Sequence, residues 1–137
     1  MIYLDSTALM KLVTVAPESG ALTDYLNLYT GTRWFTCALS RAEVICAAAA
    51  IHPDATHQAQ HVLAGLDQVA VTDRLLEAAI ALTPAPGHIV NALHIAAALS
   101  AGPQLHTLIT YNPQLAHDAA DHRINAIQPG GAPCYAP

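Results

Sequence analysis

Short apolar runs alternate along this chain with stretches whose apolar residues recur at helical spacing. Ile2-Tyr3-Leu4 is such a run; it ends in Asp5-Ser6-Thr7, after which Ala8, Leu9, Leu12 and Val13 follow a helical period. Pro17-Glu18-Ser19-Gly20 breaks that pattern, and Leu22, Tyr25, Leu26 and Tyr29 predict a second helix reaching to Gly31. Residues 33–37 (Arg-Trp-Phe-Thr-Cys) are aromatic and β-branched, as in a strand. Ser40 and Glu43 form an S-x-x-E capping box, which predicts a helix opening at Ser40 and running to about residue 51.

The rhythm continues beyond His52-Pro53-Asp54. Ala59, Val62, Leu63 and Leu66 predict a helix, and Val69-Ala70-Val71 a short strand. Thr72 or Asp73 can cap a helix carrying Leu75, Leu76, Ala79, Ile80 and Leu82, which the loop Pro84-Ala85-Pro86-Gly87 should end. Residues 89–99 read as an apolar helix closed by Gly102-Pro103. Thr107-Leu108-Ile109-Thr110 is a buried strand, Asn112-Pro113 starts a helix holding Leu115 and Ala119, and residues 124–127 complete a last strand. Strands alternating with helices predict the α/β class, with a central, mainly parallel sheet covered on both faces. In such sheets, crevices open at the carboxyl ends of the strands.

The chain has 137 residues, enough for one domain, expected over 1–128 with a loose Pro/Gly-rich tail at 129–137. Hydrophobic residues make up 53% and charged residues 11%, which excludes a disordered chain. Apolar stretches stop short of the roughly eighteen residues that span a bilayer, and the N-terminus lacks a basic leader region. Cys37, Cys46 and Cys134 form no C-x-x-C pair, so a reducing cytoplasm is the expected setting. Ten acidic residues against five basic ones leave a net charge of -5, so a nucleic-acid substrate would need metal ions or a partner to offset repulsion.

Four positions could carry chemistry. Asp5 directly follows the first strand and should project from the sheet's carboxyl edge; Glu43 reads equally as the far half of the capping box. Asn91 opens the 89–99 helix and Asn112 follows the fourth strand, so both belong near that edge, or serve as a cap or turn residue. Asp118 and Asp121 share one helical side, which a solvated face accounts for. His57 and His61 are spaced i, i+4, yet no His-Glu-x-x-His or Cys-x-x-Cys accompanies them. His94 lies one turn after Asn91, and Arg41 precedes Glu43.

Taken together, Ile2-Tyr3-Leu4-Asp5-Ser6-Thr7-Ala8-Leu9, Lys11-Leu12-Val13, Pro17-Glu18-Ser19, Ser40-Arg41-Ala42-Glu43-Val44, Asn91-Ala92-Leu93-His94-Ile95-Ala96 and Thr110-Tyr111-Asn112-Pro113 resemble, in order, the segments of the PIN-domain family and its VapC-type ribonuclease toxins. The resemblance implies a three-layer α/β/α sandwich. It also implies a divalent-metal-dependent endoribonuclease in which four acids hold Mg²⁺ or Mn²⁺ against an RNA phosphodiester. Asp5 and Glu43 match two of those acids, whereas Asn91 and Asn112 stand where the family has Asp. Ser6 and Thr110 match small polar residues that orient an acid or phosphate. A small VapB-like antitoxin and a homodimer are the implied partners, the antitoxin covering apolar helices and reaching toward the acids with a basic side chain.

Two missing charges weaken the pull on a cation. An Asn carbonyl is still a hard oxygen ligand, so one weakly held ion remains expected, while a bridged ion pair is hard to assemble. Weakened catalysis is the first expectation. The alternative is a catalytically silent module that binds RNA or antitoxin. An aspartyl phosphatase fits poorly, because Thr7 stands where its second Asp is needed.

Overall fold

A computed structural model describes residues 1–82 and 87–131. Five strands, β1 (Ile2–Leu4), β2 (Trp34–Cys37), β3 (Asp67–Val69), β4 (Thr107–Ile109) and β5 (Ala126–Ile127), form one sheet in the order β3-β2-β1-β4-β5. Every pairing is parallel: Ile2 lies against Trp34 on one side and against Thr107 on the other. Parallel neighbours need crossovers, which helices α1 (Ser6–Val13), α2 (Ser19–Asn27), α3 (Ala38–Ala49), α4 (Pro53–Ala64), α5 (Asp73–Leu82), α6 (Ile89–Leu99) and α7 (Pro113–Asp121) supply. This is the expected α/β/α sandwich.

The period-two alternation of β1 divides the core into two layers. Ile2 and Leu4 join Ile109 in a buried layer with Leu9, Leu22, Val44, Ala59 and Leu63 from the helices α1 to α4. Tyr3 faces the other way and joins Phe35, Cys37 and Leu108 beneath Leu75, Ile95, Leu115 and Ala119. The run of alanines in α6, with Ala97 and Ala98 fully buried, lets that helix sit close on the sheet.

Several boundaries differ from the expected ones. Helix α3 begins at Ala38, directly after β2, with extended Cys37 as an N-cap that supplies no side-chain hydrogen bond. Ser40 therefore lies inside the first turn, fully buried, and the capping box does not form. Strand β3 is Asp67–Val69 rather than 69–71, because parallel pairing with Phe35, Thr36 and Cys37 sets its register. The last strand is shortened to Ala126–Ile127. Thr72 does cap α5, its hydroxyl accepting from Leu75 N at 3.2 Å. The Pro84-Ala85-Pro86 part of the expected helix stop lies outside the described residues. At the start of the expected loose tail, the Tyr111 hydroxyl donates to Pro129 O at 2.8 Å, and Gly130 adopts φ 75° close against Ala21. Residues 132–137 lie outside the described set.

Candidate active site

Strands β1 and β4 end side by side, and their carboxyl ends present Asp5 and Thr110 to each other. Asp5 is the N-cap of α1, its Oδ1 accepting from Ala8 N at 2.9 Å and from the Thr7 hydroxyl at 2.7 Å. Its Oδ2 accepts from the Thr110 hydroxyl at 2.6 Å. The carboxyl is only 2% exposed, and burial pushes its pKa above the ordinary aspartate value; the donors Thr110, Thr7 and Ala8 N, and nearby His94, pull the other way without cancelling the effect. Of the two hydroxyl residues expected here, Thr110 holds the acid. Ser6 opens α1, and the second hydroxyl on Asp5 comes from Thr7, which the sequence marks only as the residue standing where a phosphatase has its second Asp. The Thr7 hydroxyl also accepts from Tyr111 N at 2.8 Å, tying α1 to the end of β4.

Glu43 lies in the middle of α3, about one-third exposed, and its Oε1 accepts from His94 Nε2 at 3.2 Å. His94 is 3% exposed, and its other ring nitrogen, Nδ1, lies 2.7 Å from the Tyr3 hydroxyl. Burial raises the Tyr3 phenol well above its ordinary pKa, reinforced by Cys37 and Asp5, so it stays protonated. His94 thus connects the second acid to the strand that carries the first.

The two asparagines are engaged differently. Asn112 is the N-cap of α7: its Oδ1 accepts from Gln114 N at 3.0 Å and Leu115 N at 3.4 Å, while its own N–H donates to the Thr110 hydroxyl at 3.0 Å. Asn91, in the first turn of α6, donates from Nδ2 to Asp118 Oδ2 at 3.4 Å. That contact corrects the solvated reading of Asp118. Its side chain is 18% exposed because α7 leans its face against α6, and it also accepts from Gln114 Nε2 at 2.8 Å and lies 3.4 Å from His88 Nδ1. Asp121 is exposed, 3.8 Å from His117. His57, His61 and Arg41 are exposed.

The donor set can be compared with the needs of a hard divalent cation. Asp5 Oδ1 already accepts two hydrogen bonds and Oδ2 one, so one lone pair remains on Oδ2. His94 engages Oε1 of Glu43, leaving Oε2 as an anionic donor. Asn91 spends its amide nitrogen on Asp118 and keeps its carbonyl oxygen, while the Asn112 oxygen is committed to its helix. Among the described residues no three His, Cys, Asp or Glu side chains gather at metal-ligating spacing. By number and charge the free donors, Asp5 Oδ2, Glu43 Oε2 and the Asn91 carbonyl, suit one hydrated cation and are too few for a bridged ion pair.

No protein-family model matches the chain. It is 36% identical over 135 residues to "Ribonuclease VapC35" of Mycobacterium tuberculosis, covering 96% of this chain and 99% of that protein. To "Ribonuclease VapC46" of the same species it is 39% identical over 119 residues, covering 87% and 89%. The fold is also that of VapBC2 from Rickettsia felis, solved bound to a DNA fragment from its promoter: TM-score 0.65, 17% identity, and 93% and 98% of the two chains covered.

Proposed function

Because this chain belongs to the VapC ribonuclease family of PIN-domain toxins, we propose that it is the toxin of a VapBC-type pair, a divalent-metal-dependent endoribonuclease with weakened catalysis on RNA phosphodiesters. The observation that supports the reading is the buried Asp5 carboxylate held by Thr110 at the sheet's carboxyl edge, with Glu43 bonded to His94, whose other ring nitrogen meets Tyr3, two residues before Asp5. When bound there, Mg²⁺ or Mn²⁺ would neutralise phosphate charge and lower the pKa of a coordinated water.

The chain's own residues divide the remaining work. Asp5 is the fixed anion, held by Thr7, Thr110 and the start of α1. Glu43 is the accessible one, and its Oε2 can accept a hydrogen bond from the attacking water. Asn91 and Asn112 lend dipoles where charges would help most, and Asn112 has already turned its oxygen onto its own helix. A chain of net charge -5 draws little RNA by long-range attraction, so local neutralisation at this edge matters.

The reading extends to assembly with a VapB-like antitoxin and a second copy of the chain. It is supported by the complex formed by the Rickettsia relative and by apolar surface on α5 and α6. Leu76 is 37%, Ile80 56% and Leu99 39% exposed, beside a groove of about 770 Å³ lined by Val69, Leu75, Leu82 and Ala96. No helix among the described residues is long and apolar enough to cross a membrane, and the setting proposed is the cytoplasm.

The test is RNA cleavage in Mg²⁺ and then Mn²⁺ by the chain, by its Asp5→Asn variant and by the double variant Asn91→Asp/Asn112→Asp. Slow cleavage favoured by Mn²⁺, lost in Asp5→Asn and increased in the double variant, is the expected result. Cleavage appearing only once the acids are restored would establish the second reading, a silent module, which the capping role of Asn112 favours. A double variant that binds no Mn²⁺ and cuts nothing would overturn the metal site itself.

A further inference from the structure

We infer that Tyr3 and His94 form a one-way hydrogen-bond relay that positions Glu43. The inference rests on the reading of Glu43 as a site acid and adds to it the residues that hold that acid in place. An ionised carboxylate only accepts, so the 3.2 Å contact at Oε1 requires the hydrogen on His94 Nε2. In a neutral imidazole the other nitrogen is then an acceptor, and at 2.7 Å the donor to Nδ1 is the Tyr3 hydroxyl. Proton direction therefore runs from Tyr3 to His94 to Glu43.

The path crosses three elements of the fold, from β1 at Tyr3 through α6 at His94 to α3 at Glu43. Each ring is clamped: Tyr3 packs edge-on against Phe35 with centroids 5.2 Å apart, and against His94 at 6.0 Å. Such outer partners fix the orientation of a ligating group, and losing them costs about 10- to 100-fold in metal affinity or activity.

Two measurements test the relay. In the metal-free chain at about pH 8, where an ordinary imidazole is neutral, ¹⁵N spectra of His94 should show the Nε2-protonated tautomer. The Nε2–H proton should be slow to exchange, and should broaden or vanish in Tyr3→Phe. A tautomer protonated at Nδ1, or an Nε2–H signal untouched by Tyr3→Phe, would overturn the relay.

In RNA cleavage, Tyr3→Phe and His94→Leu should lower kcat about 10- to 100-fold with KM little changed. His94→Gln, which keeps a donor toward Glu43, should recover part of the loss. Variants that melt like the parent yet cleave like it, or that lose only KM, would also overturn the relay. Absence of cleavage by the parent bears on the site reading instead, and the tautomer measurement stands apart from it.

Discussion

Replacing Asp5 by Asn should make this protein more stable while removing its activity. The carboxylate is 2% exposed and its three hydrogen-bond donors are neutral groups. Burying such a charge costs several kcal/mol, and hydrogen bonds to a charged group return about 1.5–3 kcal/mol each. The raised carboxyl pKa says that burial outweighs its partners. An Asn keeps the N-cap, since the two residues cap about equally well. Its oxygen can accept from Ala8 N and Thr7 as before, and its amide can donate to Thr110, whose hydroxyl can turn to Thr7 Oγ1, 3.4 Å away. With the charge gone and most hydrogen bonds kept, the gain is about 1–2 kcal/mol at neutral pH, or on the order of 5 °C in Tm for a chain of this size.

The pH dependence fixes the sign. An acid whose folded pKa exceeds its unfolded one binds its proton more tightly when folded, so the parent gains stability as pH falls through the folded value. That gain ends near the unfolded aspartate pKa of about 3.9. Asn has no such proton, so its advantage is largest at neutral pH and shrinks on acidification. Urea denaturation of both proteins at several pH values measures the difference. An Asn variant less stable than the parent at neutral pH, or a difference that ignores pH, would refute the reasoning.

Other outcomes follow from the same structure. Leu9→Ala, at a fully buried position in the layer under α1, should cost about 2–5 kcal/mol, read as a lower urea midpoint at unchanged slope. Cys46 is exposed, whereas Cys37 is buried with its thiol pKa pushed up by burial and by nearby Glu43. Iodoacetamide should therefore label Cys46 in the native protein and reach Cys37 only on unfolding, as peptide mass spectrometry would show.

The alternation of apolar runs and helical periods made β1, β4, α6 and the parallel sheet legible, because each is a buried segment bounded by polar punctuation. Asp5 and Asn112 were legible for a related reason: Asp5 directly follows β1 and Asn112 comes three residues after the end of β4, and that placement brings them to one edge. Ser40 was misread because a capping box is a local pattern, whereas the start of α3 is set by β2 running straight into it. Asp118 was misread because helical spacing alone does not say which neighbour a face meets; the lean of α7 on α6 decides that. The role of Thr7 in holding Asp5 was not legible, since Ser6 is adjacent and chemically alike, and only the path of α1 chooses between them.

The bond between Asp5 and Thr110 spans 105 positions of sequence, and this has a consequence for the birth of the protein on the ribosome. Strand β1 emerges first but sits at the middle of the sheet, waiting for a neighbour encoded in the last third of the chain. Such long-range pairing is late by nature, since its loop must close before any contact rewards it. A half-made chain thus carries Asp5 without Thr110, the partner that holds its Oδ2. Translation delivers the proposed nuclease edge only when nearly complete, so the machinery making the toxin is not exposed to it along the way.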